Sequence, residues 1–143
     1  MKKNLFGLLI ILSVIVVGCA KEQEVPLEIP TGKFSGSFTR LHLDTKTLKI
    51  DTLKADLVIT FSATTGYAVL SDTTTVHAGS KGGYIVDPLY IQFGDNTIPP
   101  GPIPTTGKTR LAGIYQYYYK DNVFKLAKSN DTLDFYYDLI RVP

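Results

Sequence analysis

An all-β domain is the fold this chain predicts, and three observations predict it. From Gly32 onward, short runs rich in β-branched and aromatic residues alternate with clusters of Gly, Asn, Asp, Ser and Thr. Every acidic side chain after Glu28 is an aspartate, which favours turns over helices. No segment after Cys19 carries a sustained 3.6-residue apolar stripe. Eight or nine short strands at this spacing make either a barrel or a sandwich.

Taken in order, the predicted strands are 33–42, 48–53, 56–62, 66–71, 83–86, 89–93, 111–120, 123–128 and 132–142. The connections are Asp44-Thr45-Lys46, Ala63-Thr64-Thr65, Ser80-Lys81-Gly82, Asp121-Asn122 and Ser129-Asn130-Asp131. The last strand has the clearest two-residue period. Leu133, Phe135, Tyr137 and Leu139 share one face, and Asp134, Tyr136 and Asp138 the other. Tyr115, Tyr117 and Tyr119 repeat the pattern, as do Leu57, Ile59 and Phe61. Antiparallel sheets with one wet side produce this alternation. The stretch from Ile98 to Pro104 holds four prolines, so it reads as a stiff extended loop, either a connector or a docking edge.

The N-terminus is organised differently. Lys2 and Lys3 precede an apolar run from Leu5 to Val17, about 13 residues against the roughly 20 that cross a bilayer. A basic head, a short apolar run and small residues at its end describe a secretory signal. Val16-Val17-Gly18-Cys19 closes it, and this pattern resembles the lipobox of bacterial lipoproteins. The resemblance implies that Cys19 carries diacylglycerol, becomes the first mature residue, and receives a further acyl chain on its amine. A buried free cysteine and a plain secretory signal are the alternatives. The domain plan is then a signal peptide over 1–18, a lipidated tether over 19–31 and a β domain over 32–143. Ala20 does not resemble the aspartate that retains such proteins at the inner membrane, so the expected location is the outer membrane, with the leaflet open.

Composition narrows the partners. Cys19 is the only cysteine, so no internal disulfide can form and stability must come from the core. Without Lys2 and Lys3 the chain carries 13 basic and 13 acidic side chains, which argues against a nucleic-acid partner.

Within the β domain, Gly32-Lys33-Phe34 at the first strand, Arg141 at the last, and the paired runs from Leu111 and Val123 resemble small lipocalin-like (calycin-like) bacterial lipoproteins. That resemblance implies an antiparallel up-and-down β-barrel of about eight strands, with the β-sandwich as alternative. It also implies closure between Phe34 and Arg141, for which cation–π stacking is the physical means. Phe34 stands where that family carries tryptophan.

A barrel of this size holds packed side chains or one small ligand. If Phe34 and Phe38 point inward, so do Gly36, which would leave a void, and Arg40, unless a bulge turns Arg40 outward. Arg40, Tyr67, Tyr115, Tyr117 and Tyr137 are therefore the candidate ligand-binding residues for a small apolar or amphipathic molecule. The other expectation is a filled core and an envelope-protein partner. No catalytic residues are assigned. His42 and His77 have no metal-ligand spacing, no nucleophile motif occurs, and Gly79 to Gly83 reads as a hairpin turn rather than a phosphate loop. No metal or cofactor is implied. Asp51-Thr52, Asp72-Thr73 and Asp131-Thr132 also resemble a bacterial threonine O-glycosylation signal.

Overall fold

The computed structural model describes residues 27–70, 76–98 and 108–143. Cys19, the signal segment, Asp72-Thr73 and the prolines from Pro99 to Pro104 lie outside the described residues.

The described residues hold nine strands and no helix. They are β1 (Gly32–Leu43), β2 (Ile50–Ser62), β3 (Gly66–Val69), β4 (Lys81–Gly82), β5 (Tyr84–Val86), β6 (Tyr90–Phe93), β7 (Gly113–Lys120), β8 (Val123–Ser129) and β9 (Leu133–Val142). All pair antiparallel in one sheet of order β4-β3-β2-β1-β9-β8-β7-β6-β5. The outermost strands, β4 and β5, are separated in sequence by Gly83 alone, so the sheet curls into a nearly closed barrel with one bent strand bridging its two edges. Around the barrel the chain goes up and down without a crossover, as expected for about eight strands.

Long ladders form one wall. β1 runs against β2 from Gly32↔Phe61 to Leu43↔Ile50, and against β9 from Lys33↔Val142 to His42↔Leu133. The sequence reading breaks β2 between Leu53 and Asp56, whereas the strand is continuous. Lys54 and Asp56 face solvent while Ala55 and Leu57 face inward, so the charges mark an outer face and not a turn. The β7–β8 connection is Asp121-Asn122, both with positive φ (51° and 72°), the geometry of a two-residue type I′ hairpin. In the turn before β2, Asp44 Oδ1 accepts the amides of Lys46 and Thr47 at 2.8 and 3.2 Å.

The seam is built from glycine. A Cβ on Gly82 would stand 1.8 Å from the Gly94 carbonyl oxygen, and one on Gly66 1.9 Å from that of Gly82. The amide of Gly94 donates to Gly83 O (2.9 Å) and that of Asn96 to Lys81 O (2.8 Å). The expected hairpin turn at 79–83 therefore holds a short strand, Lys81–Gly82, and Gly82 permits close backbone approach there. Gly36 behaves likewise. Where a void is expected, the β9 backbone comes so close that a Cβ would lie 2.0 Å from Asp138 O.

Inward residues fill the interior. Phe34, Phe38, Ile59, Ile91, Leu111 and Phe124 are fully buried, and Leu57, Phe61, Phe93, Leu126 and Leu139 nearly so. Phe34 meets the rings of Phe61, Phe124 and Tyr119 at centroid distances of 5.5–5.9 Å. Arg141 is the register partner of Phe34, as closure between first and last strands requires. Its guanidinium instead lies over Gly32 and donates to Thr31 Oγ1 at 3.4 Å. Among the described residues the cation–π contact is Lys128 over Tyr115, 5.3 Å from the centroid.

Candidate binding site

Three of the five candidate residues converge. Tyr67 (β3), Tyr115 (β7) and Tyr137 (β9) are each at most 2 % exposed and gather inside the barrel because inward positions of those strands face one another. Tyr115 and Tyr137 meet edge to face at 5.8 Å, and Tyr67 meets Phe93 at 4.9 Å. The other two do not join them. Tyr117 sits lower in the barrel, its ring against Phe124 and its hydroxyl donating to Asp87 O at 2.9 Å. Arg40 lies above Phe38 on the inner face, between Leu53 and Phe135 in register; the β1–β2 ladder has no bulge that would turn it outward.

The centre of the cluster is a residue that spacing does not single out. His77 is fully buried on the segment 76–80 that follows β3. This segment and 108–111 run side by side. His77 and Thr109 form a parallel bridge, Ala78 N–H donates to Thr109 O (2.8 Å), and Leu111 N–H donates to Ser80 Oγ (3.2 Å). The ring of His77 stands edge-on to Phe38 at 5.1 Å.

The bonding partners fix the proton positions. Ala78 O, 2.7 Å from Nδ1, can only accept, so Nδ1 carries the proton of a neutral imidazole. Nε2 then accepts from the Tyr137 hydroxyl at 3.0 Å. Tyr137 is in turn hydrogen-bonded to the Tyr115 hydroxyl, and Tyr115 takes the backbone amide of Ala112. Tyr67 donates to Leu111 O at 2.5 Å. Burial pushes the Tyr115 hydroxyl up to about 12 and that of Tyr137 well above the ordinary phenol range. Burial also pulls His77 down to about 4, so the ring stays neutral.

Beside this cluster, Arg110 Nη1 reaches Asp95 Oδ2 at 3.2 Å and Thr97 Oγ1 at 2.8 Å, and Thr97 Oγ1 donates to Asp95 Oδ1. Burial pushes the Asp95 carboxyl upward, but Thr97 and Arg110 together hold it below the usual carboxylate range.

Chemically the arrangement is a stapled core. The hydroxyls of Tyr67, Tyr115 and Tyr137 and both His77 nitrogens are engaged by neighbouring protein groups, and these bonds tie segments 76–80 and 108–111 to the core. Among the described residues no three His, Cys, Asp or Glu side chains are grouped to hold a metal. Asp134 and Asp138 stand on the outer face, bonded to Ser129 and Lys125 respectively. Of the candidate glycosylation threonines, Thr52 is exposed on β2 and Thr132 half-buried before β9. No family model matches this chain, and no curated protein or solved structure matches it.

Proposed function

We propose that the chain is a lipid-anchored binding module of the bacterial cell envelope whose barrel is a solid scaffold and whose partner, an envelope protein, meets it from outside. The observation that carries this reading is the use of the barrel's own polar groups. The hydroxyls of Tyr67, Tyr115 and Tyr137 are bonded to Leu111 O, to one another and to His77. An amphipathic ligand would have to break bonds the protein already makes, and each buried group left unpaired costs about 1–3 kcal/mol. Grooves lined by outward and rim residues such as Tyr90, Ile114 and Tyr136, or Ile29 and Ile85, offer an outside partner a place to dock. Val16 to Cys19 supports the lipid anchor, and Ala20 supports the outer membrane.

The test is native mass spectrometry of the protein extracted gently from envelopes. The expected spectrum shows the polypeptide with its acyl chains, alone and in a discrete complex with a second polypeptide. A small-molecule mass retained by the wild type and lost from Tyr137→Phe would overturn the filled-scaffold reading.

A further inference from the structure

Part of one wall of the barrel carries exposed apolar and aromatic side chains on the outside, where the alternating pattern calls for polar groups; Lys125, Asp134 and Asp138 flank them on β8 and β9. Ile85, Leu89 and Ile114 are 73 %, 68 % and 56 % exposed, and Tyr90 and Tyr136 about two-fifths. Register places these residues in rows. Ile85, Gln92 and Ile114 are successive partners across β5, β6 and β7. Tyr90, Gln116, Ala127 and Tyr136 are successive partners across β6, β7, β8 and β9. None of these seven side chains carries a charge. On the opposite wall the outward residues of β2 include Lys54 and Asp56.

The strip continues into the tether. Ile29, half exposed just before β1, shares a groove with Ile85. Ile85 shares the next groove with Tyr90 and Ile114, and these share the third with Tyr136. Pro30 is held at this end of the barrel by the Tyr84 hydroxyl, 2.9 Å from its carbonyl oxygen. Seven residues separate Cys19 from Leu27, eight Cα steps that span at most about 28 Å. The strip reaches from β5 to β9, four strand spacings or roughly 19 Å.

We propose that this strip seats the barrel sideways on the bilayer surface, with Ile29, Ile85, Leu89 and Ile114 at the acyl boundary and Tyr90 and Tyr136 at the headgroups. The inference rests on Cys19 being the lipid anchor. With that anchor, a short tether holds the strip at an effective concentration of about millimolar toward the membrane, so weak interfacial affinity suffices. A patch of exposed isoleucine and tyrosine, with Asp87, Lys128 and the Lys125–Asp138 pair at its margins, has the chemistry of such a contact. Tyrosine rings settle at the headgroup level, where the flanking charges stay hydrated. A second copy of the chain would have to find the strip by diffusion, whereas the bilayer is always within reach.

The chain contains no tryptophan, so one introduced indole reports cleanly. The lipidated protein carrying Tyr90→Trp, and separately Asp56→Trp on the opposite wall, would be reconstituted into phosphatidylcholine–phosphatidylglycerol vesicles with brominated acyl chains. The expected result is blue-shifted emission quenched at least about twofold for Tyr90→Trp, and no quenching for Asp56→Trp. Adding Ile114→Asp to the Tyr90→Trp protein should restore its emission. Co-flotation with vesicles but equal, unquenched emission from both probes would overturn the seating while leaving the anchor intact. A blue shift without bromine quenching, accompanied by a dimer in sedimentation, would overturn it in favour of self-association. Failure to float with the vesicles would remove the anchor and the seating together.

Discussion

Phe34 and Arg141 are register partners with unequal weight. Phe34 is fully buried among three aromatic edges, so Phe34→Ala should cost about 3–5 kcal/mol in urea unfolding. Arg141 is exposed and holds only Thr31 at 3.4 Å, so Arg141→Ala should stay within about 0.5 kcal/mol. A larger loss for Arg141→Ala would restore the stacking role that the lipocalin-like resemblance implies. His77 makes the second prediction at this scale. Its folded pKa, about 4, lies below the ordinary 6.5, so between these values the unfolded chain binds a proton that the native core refuses. Stability is then complete above pH 6.5 and falls as pH drops toward 4, by about 3 kcal/mol in all. The stabilisation from Asp95 is present throughout this window and is lost only as pH falls below the ordinary carboxylate range, because its carboxyl is held below that range. Unfolding free energies at pH 7, 5.5 and 4.5 should therefore decline for the wild type and stay nearly level for His77→Gln. Equal slopes would remove His77 as the cause. The sequence hides this residue because its partner, Tyr137, lies 60 positions away and no spacing rule links them. The tyrosines themselves were legible as an inward set, since the two-residue period of β7 and β9 fixes their face.

At the scale of elements, what the sequence shows depends on whether a strand touches the core. β1, β7, β8 and β9 alternate along their length, and their limits were legible to within two residues. The first half of β2 extends past the core, with Asp51, Thr52 and Lys54 exposed, so the ladder to β1 sustains it without an apolar signal. The segment 79–83 misleads for the opposite reason. Glycine signals a turn when only local conformation is considered, yet Gly82 is needed because two backbones meet over it. Gly82→Ala and Gly83→Ala separate the two roles. The first puts a methyl 1.8 Å from Gly94 O and should destabilise by about 1–3 kcal/mol or more, loosening the seam between β4, β5 and β6. The second meets nothing within 4 Å and should change stability by no more than about 0.5 kcal/mol. Amide exchange would locate the effect, with Gly94 and Asn96 losing protection in Gly82→Ala alone. Similar loss in both variants would mean that flexibility, and not close approach, selects glycine there.

For the molecule as a whole, the fold and the proposed location rest on separate parts of the chain. The barrel closes through backbone pairing of its first and last strands and through a bent strand at the seam, with no cysteine among its residues. Under the proposed anchor, Cys19 would act through chemistry added to it, outside the barrel. One acyl chain gives marginal membrane binding and each further buried CH₂ adds about 0.8 kcal/mol, so two or three chains would hold the protein for as long as it lasts. Two consequences can be measured on the same pair of proteins. The intact mass of the wild type should exceed that of the bare polypeptide from Cys19 to Pro143 by a diacylglycerol and a third acyl group. Cys19→Ala should lack that increment whatever becomes of its signal segment. The unfolding midpoint of the β domain should be the same in both, because the strands among the described residues begin at Gly32. A wild-type mass equal to an unmodified chain would refute the anchor. A midpoint that moved with the substitution would instead mean that the segment before Leu27 contributes to the fold, and the barrel would then depend on its tether for more than position.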